Sequence, residues 1–124
     1  MDWLFKKRTK SILNKFLDTN IILVAKGANF FGQTSKRLTQ VRGNGVLVLT
    51  SEQLYFEMWT SRRKIAIPRK DIKAVEIAKA HLKKTKMVPL LKVIFTNDMG
   101  QEDSAAWWVK DIDAWIEKLK KRVA

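Results

Sequence analysis

The sequence has no cysteine and only one histidine, His81. Without cysteine there are no disulfides, thiolate metal sites or thiol catalysis, and the composition fits a reducing compartment. A lone histidine leaves a metal site without paired imidazoles, and the charged residues nearest His81 are lysines rather than carboxylates. Long apolar runs are also missing. Ile21–Ala25 is far short of the roughly 18 residues that a membrane-spanning helix requires. The N-terminal stretch shows neither an apolar h-region nor a small-residue cleavage site, so no signal peptide is expected and a cytoplasmic protein is. Acids are scarce: 12 against 25 basic residues, a net charge of +13. That surplus favours polyanionic partners such as an anionic membrane face, nucleic acid or an acidic protein.

The 124 residues, 46% hydrophobic and 30% charged, suit one globular core with no second domain. Two periodicities divide the chain at about residue 19. In 2–17, Phe5, Ile12, Leu13 and Phe16 fall at i, i+7, i+8 and i+11, one side of a helix. Lys7, Arg8, Lys10 and Lys15 occupy the remaining arc, with Lys6 at its edge. The spacing predicts a basic amphipathic helix over 1–19, which Asp18-Thr19-Asn20 ends. From residue 20 the pattern is extended. Strands are predicted at 21–25, 46–50, 54–59, 64–67, 72–77, 90–96 and 101–108, where β-branched and aromatic residues alternate between turn signals. The segment 27–44 reads as a long connection carrying an exposed pair, Phe30-Phe31, and 79–88 as a lysine-rich loop. From Asp111 the helical period returns, with Val109, Ile112, Trp115, Ile116, Leu119 and Val123 on one stripe. Acids at its start and bases at its end complement the helix dipole.

About seven short strands in hairpin succession, then one helix, argue for an antiparallel sandwich or barrel with the helix as its plug. Local sequence agrees. GNGVLVLTSEQLYFE (43–57) resembles the glycine–apolar–threonine–apolar hairpin of GRAM and bacterial pleckstrin-homology (PH) type domains. IPRKDIKAVEI (67–77) is similar to the strand, turn and strand that follow it there. LLKVIFTNDMGQEDSAAWWVKDIDAWIEKL (90–119) resembles the closing hairpin and C-terminal helix. The resemblance covers about residues 20–122 and implies a mainly β, PH-like domain over 20–124. Families of this fold bind phosphoinositides, peptides or proteins, so it implies a binding module and leaves the ligand open.

No catalytic constellation stands out. Gly27-Ala-Asn-Phe-Phe-Gly32-Gln33-Thr34 has the glycine spacing of a phosphate-binding loop, but Gln33 replaces the lysine and no periodic helix follows, so the glycines are assigned to turns. Glu102 and Asp103 are adjacent on a strand and face opposite ways. No serine, lysine or aspartate has the setting of an activated nucleophile. The chain is therefore expected to be no enzyme and to need no cofactor or metal. Among Trp59, Trp107, Trp108 and Trp115, core roles are expected for most, with Trp107 and Trp108 on opposite faces.

The basic residues are unevenly spread: 60–92 hold 11 bases and 2 acids. Counting connections by parity places the first, third and fifth at one end. These bring Lys36, Arg37 and Arg42 together with Arg62, Arg63 and Lys64 and with Lys79, Lys83, Lys84 and Lys86. The PH resemblance instead groups the sixth connection, the acidic Asn97–Gly100 turn, with the first and third. A second candidate surface is the N-terminal helix, where Trp3 and Phe5 beside Lys6, Lys7, Arg8 and Lys10 match an interfacial anchor. Three functions follow as expectations. The first is peripheral association with an anionic lipid surface, on the inner membrane face, through the basic end and the helix. The second is protein interaction or self-association as a homo-oligomer, and the third is non-specific nucleic-acid binding.

Overall fold

The computed structural model describes residues 3–35, 43–61, 63–81 and 84–120. An N-terminal helix, α1 (Trp3–Leu13), and a 3-10 turn (Asn14–Phe16) precede seven strands. These are β1 (Ile21–Gln33), β2 (Gly43–Thr50), β3 (Gln53–Met58), β4 (Lys64–Pro68), β5 (Ile72–His81), β6 (Lys84–Thr96) and β7 (Glu102–Trp108). Helix α2 (Ile112–Lys120) follows. All pairings are antiparallel, in the order β4-β3-β2-β1-β7-β6-β5. This is the PH-like sandwich with a helix at each end of the chain.

β4 and β5 are both sheet edges, yet only Arg69–Asp71 join them. Three residues reach about 10 Å, so the sheet must curl until these two corners meet. Alternation then fills its inner face with Leu47, Leu49, Leu54, Phe56, Val93, Phe95 and Trp107. The apolar stripe of α2, led by Trp115 and Leu119, completes that core. Arg69 fastens the corner by donating to the carbonyls of Lys118 (2.9 Å) and Thr50 (3.4 Å).

β1 corrects the predicted strand at 21–25 and the predicted connection at 27–44, because it runs on to Gln33. Its first part pairs with β2 and its last part with β7, so it must bend between the two layers. Bulges between Lys26 and Ala28 and between Phe30 and Gly32 make the bend, with Gly27 at φ 102° and Gly32 at φ 111°. Only glycine adopts that backbone readily. The Phe30-Phe31 pair is not exposed. Phe30 enters the inner core, while Phe31 points the other way and is fully buried with Leu90, Ala106 and Trp108. The predicted loop at 79–88 is likewise mostly strand, since β5 and β6 continue as a long hairpin in which His81 pairs with Lys84.

Strand directions decide which connections share an end. With β1 closed against β7, the β1–β2, β3–β4 and β6–β7 connections lie together, and the β5–β6 hairpin points the opposite way. The convergence expected from parity is therefore corrected at the fifth connection. A simple count assumes that successive strands always reverse along the sheet, but β4 and β5 run in the same direction across the open seam.

Candidate functional site

The apolar face of α1 does not face outward. Ile12 and Phe16 are buried against Val46, Val48 and Tyr55, on the side of the sheet opposite α2. Phe5 stacks on Trp59 with ring centroids 4.6 Å apart and planes 12° from parallel. The Trp59 indole nitrogen donates to the hydroxyl of Thr9 at 2.8 Å. Phe16 meets Tyr55 edge-on at 5.1 Å.

One carboxylate anchors this contact. Glu57 sits on the helix-facing side of β3 with its side chain 5% exposed. Arg8 Nη2 donates to it at 2.5 Å and Lys15 Nζ at 2.6 Å, and the Tyr55 hydroxyl donates as well. Burial alone would raise the Glu57 carboxyl, but the donors Lys15, Tyr55 and Arg8, with the Arg8 charge, pull it down from 4.5 to about 2. Arg8 also reaches the carbonyls of Met58 (3.3 Å) and Ser61 (3.4 Å). Sequence reading missed Glu57. Its only local signal is a single acid inside the apolar run 54–59, and its two cationic partners lie 49 and 42 residues away.

The predicted site residues thus separate. Phe5 and Arg8 are engaged with the sheet, whereas Lys6, Lys7 and Lys10 form the exposed face of α1. Trp3 opens the helix. Leu4 and Leu17 flank the lysines at 59% and 78% exposure. Beside this face a groove of about 590 Å³ runs between the helix and the start of β1. Lys6, Lys10 and Lys26 rim it, and Leu13, Phe16, Leu17 and Ile21 wall it.

At the shared end of the sheet, Arg63 and Lys64 are exposed on the β3–β4 side. Asp98 and Glu102 are exposed at the β6–β7 turn, so acids mix with bases there. Asp103 is buried and accepts from Gln33 Nε2 (2.7 Å) and the Ser35 amide (2.9 Å), tying the end of β1 to that turn. Burial pushes the Asp103 carboxyl up, but those hydrogen bonds outweigh it and hold the group below its ordinary value. Lys84 and Lys86 lie on β6 in the hairpin that points away from this end. Lys36, Arg37, Arg42, Arg62 and Lys83 lie outside the described residues. Among the described residues, no three of histidine, aspartate and glutamate cluster as metal ligands would, and no helix is long and apolar enough to cross a membrane.

No protein-family model and no curated protein matches the chain. Solved structures do. The chain is similar to the C-terminal domain of an unknown protein from Leishmania infantum at 14% identity, covering 94% of this chain and 91% of that one with a TM-score of 0.56. It is also similar to a chain of the 8S snRNP assembly intermediate at 12% identity, covering 85% and 87% with a TM-score of 0.58. Likeness at this identity establishes the shared fold alone.

Proposed function

We propose that the chain is a non-catalytic PH-like module, akin to GRAM and bacterial PH-type domains, that attaches peripherally to anionic membrane surfaces. The contact is the outer face of the docked α1. The observation that carries this reading is the way α1 sits. Glu57 recruits Arg8 and Lys15, while Lys6, Lys7 and Lys10 face outward between two exposed leucines, and α1 carries no acid. Each such lysine at an anionic surface contributes about 1 kcal/mol, so three of them with partly inserted leucines support reversible attachment. Phe5, expected to enter the headgroup layer, is stacked on Trp59, and Leu4 and Leu17 take that role. The non-catalytic part of the reading is supported by the two buried acids, Glu57 and Asp103, both of which are occupied by donors from the protein itself.

The test is sedimentation of the full chain with anionic and with neutral vesicles. Binding to anionic vesicles alone is expected. It should fall as salt rises, and in a Lys6→Glu/Lys7→Glu/Lys10→Glu variant whose circular dichroism is unchanged. Equal, negligible binding to both vesicle types would overturn the proposal.

Protein interaction is a second reading, favoured by the β5 sheet edge. Ile77 is 52% exposed on that strand, and an unpaired edge can accept an added strand. A strictly monomeric protein by light scattering would remove its self-association form.

A further inference from the structure

The groove beside α1 pairs apolar walls with a cationic rim. Its walls are mostly carbon and include Leu17 and Ile21, two of the five exposed large apolar side chains among the described residues. Its rim is cationic: Lys6 and Lys10 stand one helical turn apart on α1, and Lys26 faces them from β1. No carboxylate lines it, and the nearest acid in sequence, Asp18, is not among its lining residues. At about 590 Å³ it falls within the roughly 300–1,000 Å³ typical of ligand clefts.

A ligand complementary to this surface carries an apolar tail and a compact anionic head. An inorganic anion would leave Leu17 and Ile21 in water, and a neutral amphiphile would leave three ammonium groups without a counter-ion. We infer that the groove seats a single anionic phospholipid, its phosphate among Lys6, Lys10 and Lys26 and the start of its acyl chain on Leu13, Leu17 and Ile21. This rests on the membrane reading and deepens it: a general electrostatic contact becomes the capture of one lipid drawn partly out of the bilayer.

Dihexanoyl phosphatidic acid, kept in solution as a monomer, isolates the groove from the vesicle surface. Calorimetric titration of the full chain is expected to show saturable binding. Leu17→Asp and Lys10→Glu, both at exposed positions, are each expected to weaken it about tenfold, because each removes one half of the complementarity. The exposed Lys110→Glu matches the charge change far from the groove and is expected to shift affinity less than twofold. Dihexanoyl phosphatidylcholine and inorganic phosphate are expected to bind at least tenfold more weakly. Phosphate binding as tightly as the lipid would overturn the inference, as would an unaltered affinity in Leu17→Asp. If anionic vesicles bind but the short-chain lipid does not, the groove assignment fails and the surface reading survives. If the short-chain lipid binds and vesicles do not, the groove stands and the surface reading fails.

Discussion

Replacing Glu57 by glutamine keeps the shape of the side chain and removes its charge. Arg8 and Lys15 then face each other without a counter-ion, and the hydroxyl of Tyr55 loses a charged acceptor. The magnitude follows from proton affinity. A carboxyl lowered from 4.5 to about 2 is stabilised by about 3 kcal/mol, at about 1.4 kcal/mol per tenfold change. The Lys15 side chain is 45% exposed and that of Arg8 27%, so solvent screens part of this. A cost of about 2–3 kcal/mol remains. It falls on the docking of α1, because both cations belong to the N-terminal helical segment and the carboxylate to β3.

Hydrogen exchange resolves that location. Amides of α1 should exchange roughly 30- to 150-fold faster in Glu57→Gln, while those of β6 and β7 keep their protection. The pH dependence gives an independent check. The folded carboxyl lies below its unfolded value, so its contribution is complete above pH 4.5 and disappears as pH falls through about 2. Protection of α1 in the native sequence should decline across that window and stay flat in the variant. Exchange within twofold of the native rate, or an acid decline that persists in the variant, would refute the assignment of Glu57 as the anchor.

Gly45 faces the backbone of β3, where an added Cβ would overlap the Glu57 carbonyl oxygen and approach Met58 Cα to 2.8 Å. Gly45→Ala should cost about 3 kcal/mol and lower the Tm by roughly 10 °C; a drop under 3 °C would contradict this close approach. Phe31→Ser, at a fully buried position, should cost about 3–4 kcal/mol by urea unfolding, and an unchanged midpoint would place Phe31 on the surface. At high pH, Lys15 is raised above 10.5, first by its hydrogen bond to Glu57, and Tyr55 above 10.0, first by burial and then by Glu57. Both contributions are complete below about pH 10 and lost above it, so α1 protection should fall in the native protein from there and fall less in Tyr55→Phe.

The strands that sequence located well, β2, β3, β4 and β7, are those that carry no extra residue of their own in any pairing, so each runs unbroken between its turns. β1 was cut short because two bulges break the two-residue period, and residues such as Ala25 and Ala28 then face the same core three positions apart. Phe30-Phe31 looked exposed because the polar, glycine-containing stretch around it reads as a connection; within β1 the two residues face opposite sides of a strand that is covered on both. β5 carries a break of the kind found in β1: a register shift between Ile72 and Ala74 lets Ile72 and Val75 both face inward. Lysines at 79–88 suggested a loop, but an edge hairpin tolerates them well. The α1 lysines were legible as a group. Which of the basic residues would turn inward was not, because that depends on Glu57, a partner set by tertiary register rather than by spacing.

The docking of α1 also decides between two ways a basic helix meets a bilayer. Lying in the interface, it would offer Phe5, Ile12, Leu13 and Phe16 to lipid. To do so it must uncover Val46, Val48 and Tyr55, break the stack on Trp59, and leave the Glu57 carboxylate without its two cations. Burial of those side chains in acyl chains would recover the apolar part. The ionic part would not be recovered, since Arg8 and Lys15 can find anionic lipid but Glu57 would be left facing the same negative surface. Insertion therefore starts with a deficit of about 2–3 kcal/mol, set by Glu57. Contact through the outer lysines carries no such cost and leaves the sheet covered. The two modes predict opposite responses to Glu57→Gln in the vesicle assay: freeing α1 strengthens attachment if the helix inserts. If the docked helix is the contact surface, attachment is unchanged or weaker, and the structure favours that outcome.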